Sequence, residues 1–171
     1  MIYPKQIPKF VKDVQYQELH PKVGKYLYRY KTLDDIELVF HNSLIPQNQT
    51  ITFSDEQGRI WLTITHKSII ISKNYAWNGC SPKRWWLVWW GTPDFEETLI
   101  ASLFHDALVQ FVYTEHFPLS RYICDNIFKN ILYMKKFKFV DIYYIGVRVG
   151  SEVLPINKYV GKSNLTTLSQ D

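Results

Sequence analysis

The chain predicts an α+β domain, with a small, mostly antiparallel sheet from the first half packed against a two- or three-helix unit from the second. Three observations predict it. Residues 23–74 read as short runs of β-branched and aromatic residues with Asn, Asp, Gly and Pro between them, the composition of strands and turns. After residue 92, apolar residues recur at helical spacing in two successive segments. A chain of 171 residues that is 46% hydrophobic has the length and the apolar content for one domain, residues 1–171, with a packed core.

Residues 1–22 carry Pro4, Pro8 and Pro21 and read as an extended arm. Ile2, Tyr3, Ile7 and Phe10 would hold that arm against the domain or a partner. In the strand region Tyr26, Tyr28 and Tyr30 alternate with Leu27 and Arg29, and Ile36 to Phe40 and Ile51 to Phe53 are short apolar runs. Asp55-Glu-Gln-Gly58 reads as a turn. From Arg59 to Thr65 the pattern alternates again, with Ile60, Leu62 and Ile64 on one face, and Ser68 to Ser72 closes the series. These two runs, joined by His66-Lys67, predict a hairpin, although neither turn residue favours the positive φ of the commonest two-residue turns.

Residues 75–91 read as a Trp-rich loop. Tyr75 to Pro82 is turn-rich through Asn78-Gly79 and Ser81-Pro82, and is expected to lie outside any regular element. Lys83 and Arg84 then precede Trp85, Trp86, Trp89 and Trp90. Tryptophan beside cations fits a membrane-interface anchor or a protein–protein hot spot, and Trp77 would join it as an interface residue. The plainer alternative is a loop whose Trp side chains cover the sheet.

Residues 92–152 are the expected helical unit. Thr92 is a good N-cap, Pro93 suits the first helical position, and Asp94, Glu96 and Glu97 suit the positive end of the helix dipole. Phe95, Leu99, Leu103, Ala107 and Phe111 make one stripe of a helix running to about Thr114. Pro118 opens a second helix that buries Ile123, Ile127, Phe128 and Ile131. Phe139 to Val149 reads as a third, and residues 153–171 as a loose tail.

Composition excludes several function classes. The net charge of +4 comes without a dense Lys/Arg run, so no nucleic-acid partner is expected. The two cysteines, Cys80 and Cys124, form neither a disulfide framework nor a CxxC pair. The N-terminus lacks the apolar run of a signal peptide, and Trp85 to Trp90 is far too short to span a bilayer. A reducing cytosol is the expected compartment.

Chemistry concentrates between Thr92 and Asp125. His105 has Ala101, Ser102, Leu108 and Val109 within one turn, so its imidazole should be half buried beside the core stripe. A buried imidazole needs a partner, and Asp125 on an antiparallel helix could supply it, as the orienting half of a general base or as a structural tie between helices. Asp106 lies about 100° around the helix from His105. It could hold a hard cation together with carbonyls of the Asn78-Gly79 loop, or pair with Arg121 across the helices. Arg121 could also pair with Asp125 four residues on, or bind an anionic substrate group. Cys80, between Gly79 and Ser81, is a lesser candidate nucleophile, and a zinc site from Cys80, Cys124 and His105 lacks any known spacing.

These residues carry two resemblances. Trp77-Asn-Gly-Cys-Ser81, then Ala101-Ser-Leu-Phe-His-Asp-Ala-Leu108, then Ser120-Arg121 with Asp125-Asn-Ile-Phe128, resembles a family of small bacteriophage and prophage proteins classed as a domain of unknown function. The match runs from about Tyr75 to Gly150. The same pieces are similar to the core of phospholipase A2 enzymes, where a glycine-bearing calcium loop precedes a helix with a His-Asp pair and a facing helix carries an Asp. That resemblance implies His105 as the base that activates water, Asp125 as its orienting partner, and calcium at Asp106 with Asn78 and Gly79. Asn78 departs from the pattern, since the bacterial enzymes tend to carry an acidic ligand there.

Two functions are therefore expected. One is a phage-encoded hydrolase-like protein acting on an ester or lipid of the host envelope, with Arg121, Trp77, Trp85, Trp86, Trp89 and Trp90 at its substrate or membrane surface. The other is a non-catalytic virion component or interaction protein, made in the host cytoplasm, that docks on other phage proteins through its aromatic loop and N-terminal arm.

Overall fold

The computed structural model describes residues 8–23, 28–80, 95–153 and 162–167. The fold is α+β, with antiparallel sheets formed largely by residues 9–77 and three helices in the second half. The strands are β1 (Lys9–Phe10), β2 (Tyr16–Val23), β3 (Tyr28–Thr32), β4 (Ile36–Val39), β5 (Gln49–Ser54), β6 (Ile60–Ile64), β7 (Ser68–Ile71), β8 (Ala76–Trp77) and β9 (Lys162–Thr167). The helices are α1 (Glu96–Phe111), α2 (Arg121–Met134) and α3 (Val140–Val153). One sheet has the order β1-β4-β7-β6-β5-β9 and the other β2-β3-β8. Among the described residues no helix is long and apolar enough to cross a membrane.

Period-two alternation and register together select the buried face of the larger sheet. Ile36 and Leu38 of β4 stand opposite Ile71 and Ile69 of β7. Those two stand opposite Leu62 and Ile64 of β6, which in turn face Phe53 and Ile51 of β5. All eight side chains are buried, so four strands contribute one continuous apolar layer. Ile60 does not join it. A register shift between Phe53 and Ser54 turns Ile60 outward, where it is 43% exposed, against the expectation that it shares a face with Leu62 and Ile64.

The β6–β7 hairpin forms where the sequence places it, without the usual turn chemistry. Neither His66 nor Lys67 has positive φ. Side chains close the turn instead: Thr65 Oγ1 and Ser68 Oγ are 2.8 Å apart, and Ser68 N donates to Thr65 Oγ1 at 3.0 Å. The Asp55 turn is also as expected. Gly58 has a φ of +79°, and the Asp55 carboxylate accepts from the backbone N–H groups of Gln57 and Arg59 and from Trp61 Nε1.

Helix α1 lies on the sheet through aromatic contacts. Phe53 of β5 meets Phe111 at 5.4 Å between ring centroids, and Phe10 of β1 meets Phe104 at 5.8 Å. Leu99, Leu103, Ala107 and Phe111 are buried, as the stripe predicts, and Phe95 at its start is exposed. Helices α2 and α3 bury Ile127, Phe128, Ile131, Val140, Tyr143 and Val147.

Several expectations are corrected. Residues 1–7 of the expected arm lie outside the described residues, and of the rest Lys9–Phe10 pairs with β4 and Tyr16–Val23 pairs with β3, so these segments belong to the sheets. The expected tail contributes β9, which covers β5 from Gln49↔Thr167 to Ser54↔Lys162. Ala76–Trp77, placed in a loop by its turn-forming neighbours, pairs with Tyr30–Lys31 of β3. Trp77 is 2% exposed and packs on Tyr30 and Tyr16, so it is a core residue and not an interface anchor. Helix α1 begins at Glu96 with extended Phe95 as its cap residue, and α2 begins at Arg121 after Ser120 rather than at Pro118. Thr92, Pro93, Trp85, Trp86, Trp89 and Trp90 lie outside the described residues.

Candidate functional site

The site is built where α1, α2 and α3 meet. Ser120 starts α2 by accepting the backbone N–H of Ile123 at 3.3 Å, an N-cap bond. That cap makes Arg121 the first helical residue and sets Asp125 one turn further along the same face. Arg121 Nε donates to Asp125 Oδ1 at 3.0 Å. On α1, His105 stands edge-on to Phe128 of α2, with ring centroids 5.5 Å apart. Its Nε2 lies 2.9 Å from Asp125 Oδ1. Helix α3 adds Arg148, whose Nη1 donates to Asp125 Oδ2 at 2.8 Å.

Asp125 is fully buried, 0% exposed, and it is held by donors from all three helices. Burial alone would raise its pKa; hydrogen bonds from His105, Arg148 and Arg121 outweigh burial and hold it below the ordinary carboxylate range. An ionised Asp125 can only accept, so His105 Nε2 carries a proton and donates it. In neutral His105, Nδ1 is then the lone-pair nitrogen. It faces Asp106, whose Oδ1 is 3.9 Å away, beyond hydrogen-bond reach. The His105 side chain is 12% exposed and that of Asp106 38%.

The structure thus brings His105, Asp106, Arg121 and Asp125 together and adds Arg148. Of the three uses foreseen for Arg121, it takes the pairing with Asp125. Arg148 was not foreseen. Its one signal is that it is the only charge between Asp141 and Glu152 of α3, and such a cation on a packed helix needs an acceptor.

Both cysteines are buried. Cys80 is 3% exposed and Cys124 is fully buried. Burial pushes the Cys124 thiol up to about 12, which keeps it protonated. Among the described residues no group of three or more His, Cys, Asp or Glu side chains could hold a metal ion, so no zinc site forms there. Calcium takes six to eight oxygen ligands. Asp125 gives both of its oxygens to cations, which leaves Asp106 as the one carboxylate of this cluster open to a metal. Half-buried Asn78 and buried Gly79, at a φ of +81°, follow β8 and would bring neutral oxygens. Asp106 with these neutral oxygens would supply only part of the six to eight ligands calcium takes, the rest being water, and no step below runs through a metal.

No protein-family model, curated protein or solved structure matches this chain.

The cluster makes stability depend on pH. Burial alone would lower the His105 pKa, but the Asp106 and Asp125 carboxylates outweigh it and raise it. The contribution of His105 is therefore complete below the unfolded value of about 6.5 and is lost as pH rises through the folded one. Asp125 works in the opposite sense. Its contribution is present above the unfolded value of about 3.9 and is lost as pH falls through its lowered folded value. Asp106 is raised by burial, so it too costs stability as pH rises past its unfolded value. The urea midpoint should be highest between roughly pH 4 and 6.5 and fall toward pH 8. In His105→Gln the alkaline fall should flatten; an unchanged alkaline limb in that variant would contradict the assignment.

Proposed function

We propose that the chain is a hydrolase-like protein, encoded by a phage or prophage, whose His105 acts as a general base through Nδ1 on an ester or lipid substrate. One observation carries this: His105 Nε2 is 2.9 Å from a fully buried Asp125, so the ring is held in the tautomer that leaves Nδ1 as the basic nitrogen. A water at Nδ1 would lose its proton there while its oxygen attacks the acyl carbon; as the tetrahedral intermediate collapses, the ester C–O bond breaks and the imidazolium returns that proton to the leaving alcohol. Asp125 stabilises the imidazolium that forms, and Asp106, beside Nδ1, adds to that stabilisation. The resemblance of the same residues to phospholipase A2 enzymes supports the choice of an ester or lipid.

A second reading has its own observation. Asp125 accepts from His105, Arg121 and Arg148 on three helices, which is also how a structural tie is made. In that reading the protein is a non-catalytic virion or interaction component.

The two separate in one experiment. Wild type and His105→Ala, both checked for folding by circular dichroism, are incubated with labelled phospholipids and with soluble esters, with and without calcium. The hydrolase predicts release by the wild type and a loss of at least about a hundredfold in the variant. Equal, background-level release from both would leave the structural tie.

A further inference from the structure

The turn of the β6–β7 hairpin carries a second pair of side chains with the geometry of a nucleophile and its base. His66 Nδ1 lies 2.7 Å from the carbonyl oxygen of Ile45, and its Nε2 lies 3.2 Å from Ser43 Oγ. A carbonyl can only accept, so Nδ1 carries the ring proton. In neutral His66, Nε2 is then the lone-pair nitrogen, and the bond to Ser43 runs one way: the hydroxyl donates to the imidazole. A weak nucleophile is activated in this manner, by an adjacent base that a third group holds in place. Here the third group is the backbone carbonyl of Ile45, a buried residue.

Ser43 is exposed and His66 half-buried, so the hydroxyl is open to solvent while the ring is held. The bond between them is not needed to fasten the hairpin turn to the segment that follows β4. Backbone bonds do that: Phe40 N donates to Lys67 O and Leu44 N donates to His66 O, both at 2.7 Å. Among the described residues no bond uses the backbone N–H of Asn42 or Ser43. An oxyanion formed beside Ser43 therefore has donors within the same segment.

We propose that Ser43 and His66 form a separate acyl-transfer site, with Ser43 as nucleophile and His66 as base, acting on carboxylic esters presented at the protein surface. As Ser43 Oγ attacks the acyl carbon, His66 Nε2 takes the hydroxyl proton. When the tetrahedral intermediate collapses, the ester C–O bond breaks and the imidazolium gives that proton to the leaving alcohol, which leaves Ser43 acylated. Water then attacks the acyl carbon with Nε2 again as base. The bond to Ser43 Oγ breaks, the carboxylic acid departs, and the proton returns to Ser43. Ile45 is a positioning residue, acting through the ring it holds. The pair shares no residue with the His105 cluster and does not rest on the hydrolase reading of that cluster.

The test uses the full chain and a fluorophosphonate probe, which transfers its phosphonyl group to an activated serine oxygen with loss of fluoride. Peptide mass spectrometry of the labelled wild type should place the phosphonyl group on Ser43. His66→Gln keeps an N–H donor for the Ile45 carbonyl but cannot take up a proton. Its circular dichroism spectrum should be unchanged, and its labelling at Ser43 should be slower by at least about a hundredfold. His105→Gln should label at the wild-type rate, which keeps this outcome apart from the fate of the His105 reading. The proposal is overturned if the wild type carries no label at Ser43, a result that needs no variant to fold. It is equally overturned if the wild type and His66→Gln label Ser43 at the same rate, which would make Ser43 an ordinary exposed hydroxyl.

Discussion

Asp125→Ala should lower the folding free energy by about 3–5 kcal/mol, read as a fall in the urea midpoint at neutral pH with an unchanged slope. Asp125 is 0% exposed and is the shared acceptor for His105, Arg121 and Arg148. Its removal leaves those donors facing one another around an apolar methyl. Arg121 is already short of partners, since its Nη1 is buried without a hydrogen bond, so it is poorly placed to absorb another loss. Arg148 can turn partly to water, because its side chain is 31% exposed, which places the effect toward the lower end of that range. Asp125→Asn keeps the shape and an acceptor oxygen but removes the charge, and should fall between the wild type and Asp125→Ala. A loss below about 1 kcal/mol in Asp125→Ala would mean that water or another group already serves these donors.

This prediction holds for a catalytic base and for a structural tie alike, since both need Asp125 charged and fixed. They differ at His105. A tie loses little when His105 is replaced by a residue that can still donate to Asp125, such as Gln. A general base loses its reaction with the same replacement, because an amide cannot take up the proton. Stability and turnover measured on one His105→Gln protein therefore separate the two roles.

The parts legible in the sequence were those written into local patterns. The β6–β7 hairpin and the α1 stripe follow from side-chain periodicity, and the His105–Asp125 contact follows from a half-buried imidazole that needs an acceptor on the neighbouring helix. What was missed depends on distant partners. Residues Lys162–Thr167 are mostly polar, with Leu165 as their one large apolar side chain, so nothing local marks a strand; they are ordered by backbone bonds to the edge of β5. Lys9–Phe10 and Ala76–Trp77 are two-residue strands whose pairing is likewise supplied by β4 and β3. At the start of α2 the sequence points to Pro118, but the helix begins after Ser120. Ser120 prevails because its hydroxyl accepts the third N–H of the helix, which Pro118 has no side-chain group to do. Arg148 escaped notice because its acceptor lies 23 residues earlier on another helix.

Phe53→Ala tests how firmly the sheet and the helices form one unit, and should cost about 3–5 kcal/mol. Phe53 is 0% exposed on β5, and its ring meets Phe111 at the end of α1 at 5.4 Å and Phe117 in the α1–α2 connection at 5.1 Å. Truncation removes the apolar transfer of the ring and leaves a cavity bounded by a strand on one side and a helix end on the other. Rigid layers on both sides limit collapse into that space, which favours the upper half of the range. If the layers fold together, the helical far-ultraviolet signal and tryptophan fluorescence should shift to the same lower urea midpoint. Two separate transitions would mean that the helical cluster holding Asp125 stands without the sheet. A double-mutant cycle with Phe111→Leu should then return a coupling of about 0.5–1.5 kcal/mol for the ring pair, and a coupling near zero would show that the two rings share a cavity without supporting each other.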